Sequence, residues 1–317
     1  MKKSIIALIV AVVVVLLGVG AYVWKPNLFT SEIAVNNQNT PPETNHIVRP
    51  GGGNPAEATP VAPQENKQET VIGTSVEGRS ITAYHYGKEN TQVSKELLFV
   101  GGAHGGYEWN TVLVAYQLMD YLKTNPDAIP AGVRVTVIPV LNPDGLYKVV
   151  GTSGRFTEAD VPASPEKVAS GRYNANNVDL NRNFDCDWQS TGVWQNTKVS
   201  GGSAAFSEPE SKALQTYVGA HKPSAVVVWF SSAGGVFSSS CHNGVSSETS
   251  AITKIYADAS GYPAFKEFNF YEITGDMVNW FAKNNIPAVS VLLSTHSDIE
   301  WSKNQAGILA LFAHYSK

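Results

Sequence analysis

The chain has 317 residues, 43% of them hydrophobic and 16% charged, with a formal net charge of −4 and two cysteines. These figures exclude a wholly disordered chain and a multi-span membrane protein, and no strongly basic domain is present to bind nucleic acid. Two cysteines are too few for a disulfide-stapled miniprotein or a four-cysteine zinc module, while the length allows two domains or one large domain with extras.

Lys2 and Lys3 precede an uncharged run, Ile5–Trp24, built mostly of Val, Leu, Ile and Ala. As a helix, such a run is long enough to cross roughly 30 Å of hydrocarbon. A secretory signal has an apolar core of only about 7–15 residues. The length therefore predicts an N-terminal membrane anchor over residues 1–24. The lysines place the N-terminus in the cytoplasm and the rest of the chain outside the cell membrane. Cleavage after Ala21, which would release a secreted protein, stays open because Val19 and Ala21 are small. Residues 25–70 hold seven of the 17 prolines, the triplet Gly51-Gly52-Gly53 and many polar residues, without apolar periodicity. This composition predicts a disordered linker that holds the next domain off the membrane.

Residues 71–317 suit one α/β domain. Glu96–Val100 reads as a buried strand, Thr111–Leu122 as a helix and Val133–Val140 as a β-branched strand. Ser207–Gly219 reads as a helix whose opening, Ser207-Glu208-Pro209-Glu210, supplies a cap and acidic first-turn residues. Ala225–Phe230 and Ala288–Leu293 are continuous apolar strands, and Ile299–Phe312 is a final helix. Strands without alternation predict a mostly parallel or mixed central sheet, flanked by helices on both faces. In such sheets, sites gather beyond the carboxyl ends of the strands.

Three stretches carry chemistry-bearing residues. His104 and Glu108 lie in the glycine-rich run Gly101–Glu108, just past a strand; imidazole and carboxylate are common zinc ligands. Asn142-Pro143-Asp144-Gly145 follows the next strand and, by its residue types, reads as a turn. Gly171–Phe184 contains Arg172, Asn181 and Arg182, and an arginine can clamp a carboxylate with two parallel hydrogen bonds.

Taken in order, these stretches resemble the zinc carboxypeptidase family, the carboxypeptidase A-like metallopeptidases, and most nearly its bacterial members. Asn-Pro-Asp-Gly followed by Val178-Asp179-Leu180-Asn181-Arg182-Asn183-Phe184 carries the resemblance, and Gly73–Arg79 fits the bacterial branch. The resemblance implies His104 and Glu108 as the first two zinc ligands, although the family spacing is His-x-x-Glu and here it is His-x-x-x-Glu. It implies Asn181 and Arg182 as the pair that holds a terminal carboxylate, and Arg172 as the group that polarises the scissile carbonyl. The family takes its third zinc ligand, a histidine, from a strand end before serine; Ser231 stands there, and a hydroxyl is a poor zinc donor. The family's general base, a glutamate, falls on Leu292, or on Leu293 if the alignment slips by one. Leucine accepts no proton, so both hydrolysis and zinc binding are in doubt.

His242 and His296 are the histidines that a replacement ligand would draw on. Glu300 is expected to face solvent. Cys186 and Cys241 follow two loops at the site rim, and in an exported domain they are expected to pair; two independent thiols are the other reading. Two functions follow. One is a membrane-tethered, extracytoplasmic zinc carboxypeptidase acting on peptides or cell-wall stem peptides. The other is an inactive pseudopeptidase that binds peptide C-termini as an interaction module.

Overall fold

The computed structural model describes residues 68–88 and 92–317. The expected anchor and nearly all of the expected linker lie outside the described residues. Among the described residues, no helix is long and apolar enough to cross a membrane. The first strand, β1, runs Glu69–Thr74, so the folded domain begins two residues inside the segment assigned to the linker.

In chain order the remaining strands are β2 (Ser80–Tyr86), β3 (Lys95–Val100), β4 (Val133–Ile138), β5 (Thr191–Trp194), β6 (Thr197–Ser200), β7 (Ala225–Ser231), β8 (Gly235–Ser238), β9 (Ala264–Phe265) and β10 (Ala288–Leu293). The α-helices are α1 (Trp109–Thr124), α2 (Pro143–Val150), α3 (Pro165–Ala169), α4 (Pro209–His221), α5 (Ser247–Ser260), α6 (Met277–Lys283) and α7 (Trp301–Tyr315). Among the described residues, β1-β2-β4-β3-β7-β10-β8-β9 form one eight-stranded sheet, and β5 and β6 form a separate hairpin. The central pairs β4–β3, β3–β7 and β7–β10 are parallel, whereas β1–β2, β2–β4 and β10–β8 are antiparallel. The sheet is therefore mixed around a parallel centre.

The continuous apolar runs are explained by helices on both faces. Val227, Trp229, Val289, Val291 and Leu293 meet one cluster with α1, α5 and α7. Val226, Val228, Phe230, Ala288 and Leu292 meet the other with α4 and α6. Successive residues of a strand point to opposite faces. Phe230 is aligned with Leu292, and Ser231 with Leu293.

Two local expectations change. Asn142-Pro143-Asp144-Gly145 is not a plain turn but the start of α2. Asn142 Oδ1 accepts from the Gly145 amide at 2.8 Å, and Pro143 sits in the first turn, where its missing N–H costs nothing. The helix expected to open at Ser207 begins at Pro209, with Glu208 at the capping position and no side-chain cap bond. The Ser207 hydroxyl donates instead to Glu208 Oε1 at 2.8 Å.

Candidate functional site

The carboxyl ends of β3, β7 and β10 converge on one cavity of about 180 Å³. After β3 the chain makes a 3-10 turn, Gly105–Glu108, that runs straight into α1. This turn brings the His104 and Glu108 side chains together. Gly105 has φ +48°, and a Cβ there would lie 2.6 Å from the Gly171 carbonyl oxygen and 2.8 Å from Gly145. Only glycine lets this loop pack so closely on α2 and on the strand of residues leading to Arg172. His104 and Glu108 are both buried, with Nδ1 and Oε2 3.1 Å apart. Neither of these two atoms has a hydrogen-bond partner.

Asp179 binds the site together, a role not assigned from the sequence. Its Oδ1 lies 3.2 Å from His104 Nε2 and accepts from the Asn181 amide at 3.1 Å. Its Oδ2 accepts from Arg172 Nε at 3.0 Å and from a terminal guanidinium nitrogen at 2.7 Å. Burial pushes the Asp179 carboxyl up, but Arg172 and His104 outweigh burial and hold it far below the usual carboxylate range. Burial and Arg172 oppose charge on His104; Glu108 and Asp179 overcome them, and its pKa is raised. Asp179 sat in plain view within Val178–Phe184; the signal was an acid flanked by apolar residues in an otherwise polar stretch.

Arg172 is buried and stacks on Trp194, with its central carbon 4.3 Å from the ring centroid. Arg182 is also buried. It donates to the carbonyls of Asn181 at 2.8 Å and of Val193 in β5 at 2.9 Å, while its Nε lies buried without a partner. The Asn181 amide is engaged by Asp276: Nδ2 donates to Oδ2 at 2.8 Å, and Oδ1 accepts from the Met277 amide at 3.0 Å. Of the expected clamp, Asn181 thus ties the Arg182 turn to the start of α6, and Arg182 keeps an unsatisfied donor. His104, Glu108, Arg172, Asn181 and Arg182 all line the same cavity.

Apolar side chains complete the lining, together with Glu267, Ser238 and Ser290. Leu292 and Phe230 line the cavity, and the Phe230 ring centroid is 5.4 Å from that of His104. Ser231, expected at the third ligand position, reaches the cavity edge, but its hydroxyl donates to Asn110 Oδ1 in α1 at 2.8 Å. A second cavity, of about 420 Å³, adjoins the first and shares Trp194, Ser231, Phe268, Tyr271 and Leu292 with it. Its rim is aromatic, with Tyr107, Trp194 and the half-exposed Phe270.

The alternative donors divide. His242 is exposed and pairs with Asp187 at 2.8 Å, away from the cavity wall. His296 lines the outer cavity, with Nε2 3.2 Å from the Tyr107 hydroxyl and Nδ1 buried without a partner. Burial pushes its pKa down, against the pull of Glu108. Glu300, expected to face solvent, instead accepts from the Ser294 amide and hydroxyl, from the Tyr262 hydroxyl at 2.7 Å and from Lys303 at 2.7 Å. Cys186 and Cys241 are joined by a disulfide, with Cα atoms 6.2 Å apart, linking the segment after Arg182 to the loop after β8.

The donor set tests the site against zinc. Catalytic zinc takes three protein ligands and keeps one position open. His104 and Glu108 present two, and Phe230, at the end of β7, packs beside His104 with Leu292 in the same cavity. Among the described residues, the only group of three candidate donors within 4.8 Å is Cys186, Asp187 and Cys241, whose sulfurs are spent in the disulfide. The residues present do not fit a resident catalytic zinc.

Comparison with known proteins places the chain. Residues 64–305 match the family described as zinc carboxypeptidase. The chain is 29% identical over 182 residues to the human carboxypeptidase N catalytic chain, covering 55% of this chain and 37% of that one. It is 28% identical over 234 residues to metallocarboxypeptidase A of Arthroderma otae, covering 66% of this chain and 53% of the relative. The chain thus spans about half or less of these curated relatives. Its fold is similar to murein-tripeptide amidase from Escherichia coli O157 (TM-score 0.52, 18% identity, 78% of this chain and 91% of that one). It is also similar to carboxypeptidase A from Helicoverpa armigera (TM-score 0.60, 18% identity, 78% and 66%). The ordered motifs of the loops after β3, β4 and α3, the mixed sheet and these matches agree: the chain belongs to the zinc carboxypeptidase family.

Proposed function

We propose that this protein binds the C-terminal carboxylate of a peptide in the cavity between Arg172 and Arg182 and does not hydrolyse it. The observation that carries the reading is one cavity lined by two arginines, Arg172 and Arg182, together with Asn181. A carboxylate is the matched acceptor of a guanidinium. Arg172 lies in the same wall and adds a second positive charge. Leu292, at the position where the family resemblance expects the general base, neither takes a proton nor holds water.

The same reading extends to the whole chain. Residues 1–24 serve as the membrane anchor, 25–68 as the tether and 69–317 as the binding domain, outside the cell membrane. A disulfide suits that oxidising side. A cell-wall stem peptide is the ligand that an anchored, outward-facing domain would meet, and one protein of similar fold is named a murein-tripeptide amidase.

Calorimetry with a peptide and its C-terminal amide tests the proposal. The free acid is expected to bind at least about tenfold tighter, since a hydrogen bond to a charged group contributes roughly 1.5–3 kcal/mol. Arg182→Ala should erase that difference, and mass spectrometry should show the peptide uncut. Equal affinities for acid and amide would sink the proposal. One tightly held zinc per chain together with turnover would replace it with an active carboxypeptidase.

A further inference from the structure

We infer that Phe230, with Leu292 beside it, fills the place from which a third metal ligand would reach His104 and Glu108, and that Ser231 does not stand there. Strand geometry carries the argument. Phe230 of β7 and Leu292 of β10 are partners in a parallel pair, so both side chains leave the same face of the sheet. That is the face of His104: the two rings lie 5.4 Å apart, and all three residues wall one cavity with Glu108. Ser231 is the next residue along, and the two-residue period of a strand turns its side chain to the other face. Its hydroxyl accordingly meets Asn110 of α1, 2.8 Å away.

Two apolar side chains, both buried, thus lie beside two potential ligand atoms that face each other at 3.1 Å and make no hydrogen bond. The arrangement is half of a metal site sealed by hydrocarbon. A donor placed at residue 230 would join Nδ1 of His104 and Oε2 of Glu108. A donor placed at residue 231 would enter the packing against α1 instead.

Cobalt(II) titration of the purified, disulfide-intact domain, read by the d–d absorption bands, decides between the two positions. Phe230→His should tighten cobalt binding at least about 100-fold over the unsubstituted protein, because even outer-shell partners are worth 10–100-fold in metal affinity. Ser231→His should bind no better than the unsubstituted protein. Adding His104→Ala to Phe230→His should abolish the gain. Circular dichroism and thermal melting establish that each variant is folded. If Phe230→His is not, Phe230→Cys offers a smaller donor of a kind zinc and cobalt both accept. The inference is overturned if Ser231→His creates the site and Phe230→His does not. It is equally overturned if the unsubstituted protein already binds one cobalt as tightly, or if folded residue-230 variants show no gain. Peptide affinity of the unsubstituted protein is measured separately, so failure here leaves the carboxylate-binding result standing on its own.

Discussion

Asp179 holds His104 and Arg172 at once: one carboxylate oxygen lies 3.2 Å from His104 Nε2, and the other accepts two bonds from the Arg172 guanidinium. All three side chains are buried. One anion from the turn after α3 thus ties the two groups together, while Glu108 also faces His104 at 3.1 Å and Trp194 stacks on Arg172.

Asp179→Asn should be strongly destabilising. Removing one partner of a buried ion pair typically costs about 3–5 kcal/mol, because the other charge is left uncompensated. Urea unfolding should show this loss, and the double variant Asp179→Asn/Arg172→Met should recover part of it. A double variant that loses the sum of the two single effects would show that the residues do not act as a pair.

Ser231→Ala should cost about 1–3 kcal/mol of stability, the penalty for leaving the buried Asn110 carbonyl short of a donor. Peptide affinity should not change, because the Ser231 hydroxyl serves α1 and not the cavity interior. A large affinity loss without a stability loss would contradict that assignment.

Glu300 is the clearest source of acid sensitivity. Burial pushes its carboxyl up, but bonds from Lys303, the Ser294 amide and the Tyr262 hydroxyl outweigh burial and hold it at about 2. A carboxylate depressed in the folded state stabilises it above the unfolded pKa, and that contribution fades as pH falls from the ordinary glutamate range towards about 2. Glu300→Gln should therefore melt lower than the parent at pH 6, and the gap should close as the solution is taken towards pH 2. A gap that is constant with pH would show that the charge does not contribute.

Cys186→Ser/Cys241→Ser should lower stability by about 2–4 kcal/mol, the usual effect of opening a disulfide loop. The bond closes a separation of 55 residues, across the segment that carries β5, β6, α4, β7 and β8. Chemical denaturation with and without reductant gives the same comparison on the unsubstituted chain.

How much was legible in the sequence differs by level. The strands β3, β4, β7 and β10 stand out because their apolar runs are continuous, as strands covered on both faces must be. That same continuity hides which residue faces which layer. In Val226–Ser231 nothing alternates, so the face of Phe230 and of Ser231 appears only once β7 is paired with β10 and packed on α1. The edge strand β1 is short and mixed in polarity, so the start of the domain at Glu69 does not stand out from the linker. Residues with unusual chemistry were readable as candidates, and His104, Glu108, Arg172, Asn181 and Arg182 do share a cavity. Their bonding was not: Asn181 is committed to Asp276, and Asp179 emerges as the centre only through distances between residues far apart in the chain.

The stacking of Arg172 on Trp194 gives the protein an optical handle. Trp194 is the tryptophan that lines both cavities, and a guanidinium lies 4.3 Å from its ring centroid. A carboxylate drawn to Arg172 alters the field across that indole. Its emission should therefore shift in colour and intensity when peptide enters, and Trp194→Phe should silence the change. The cleft thus reports its own occupancy in light, with no attached dye.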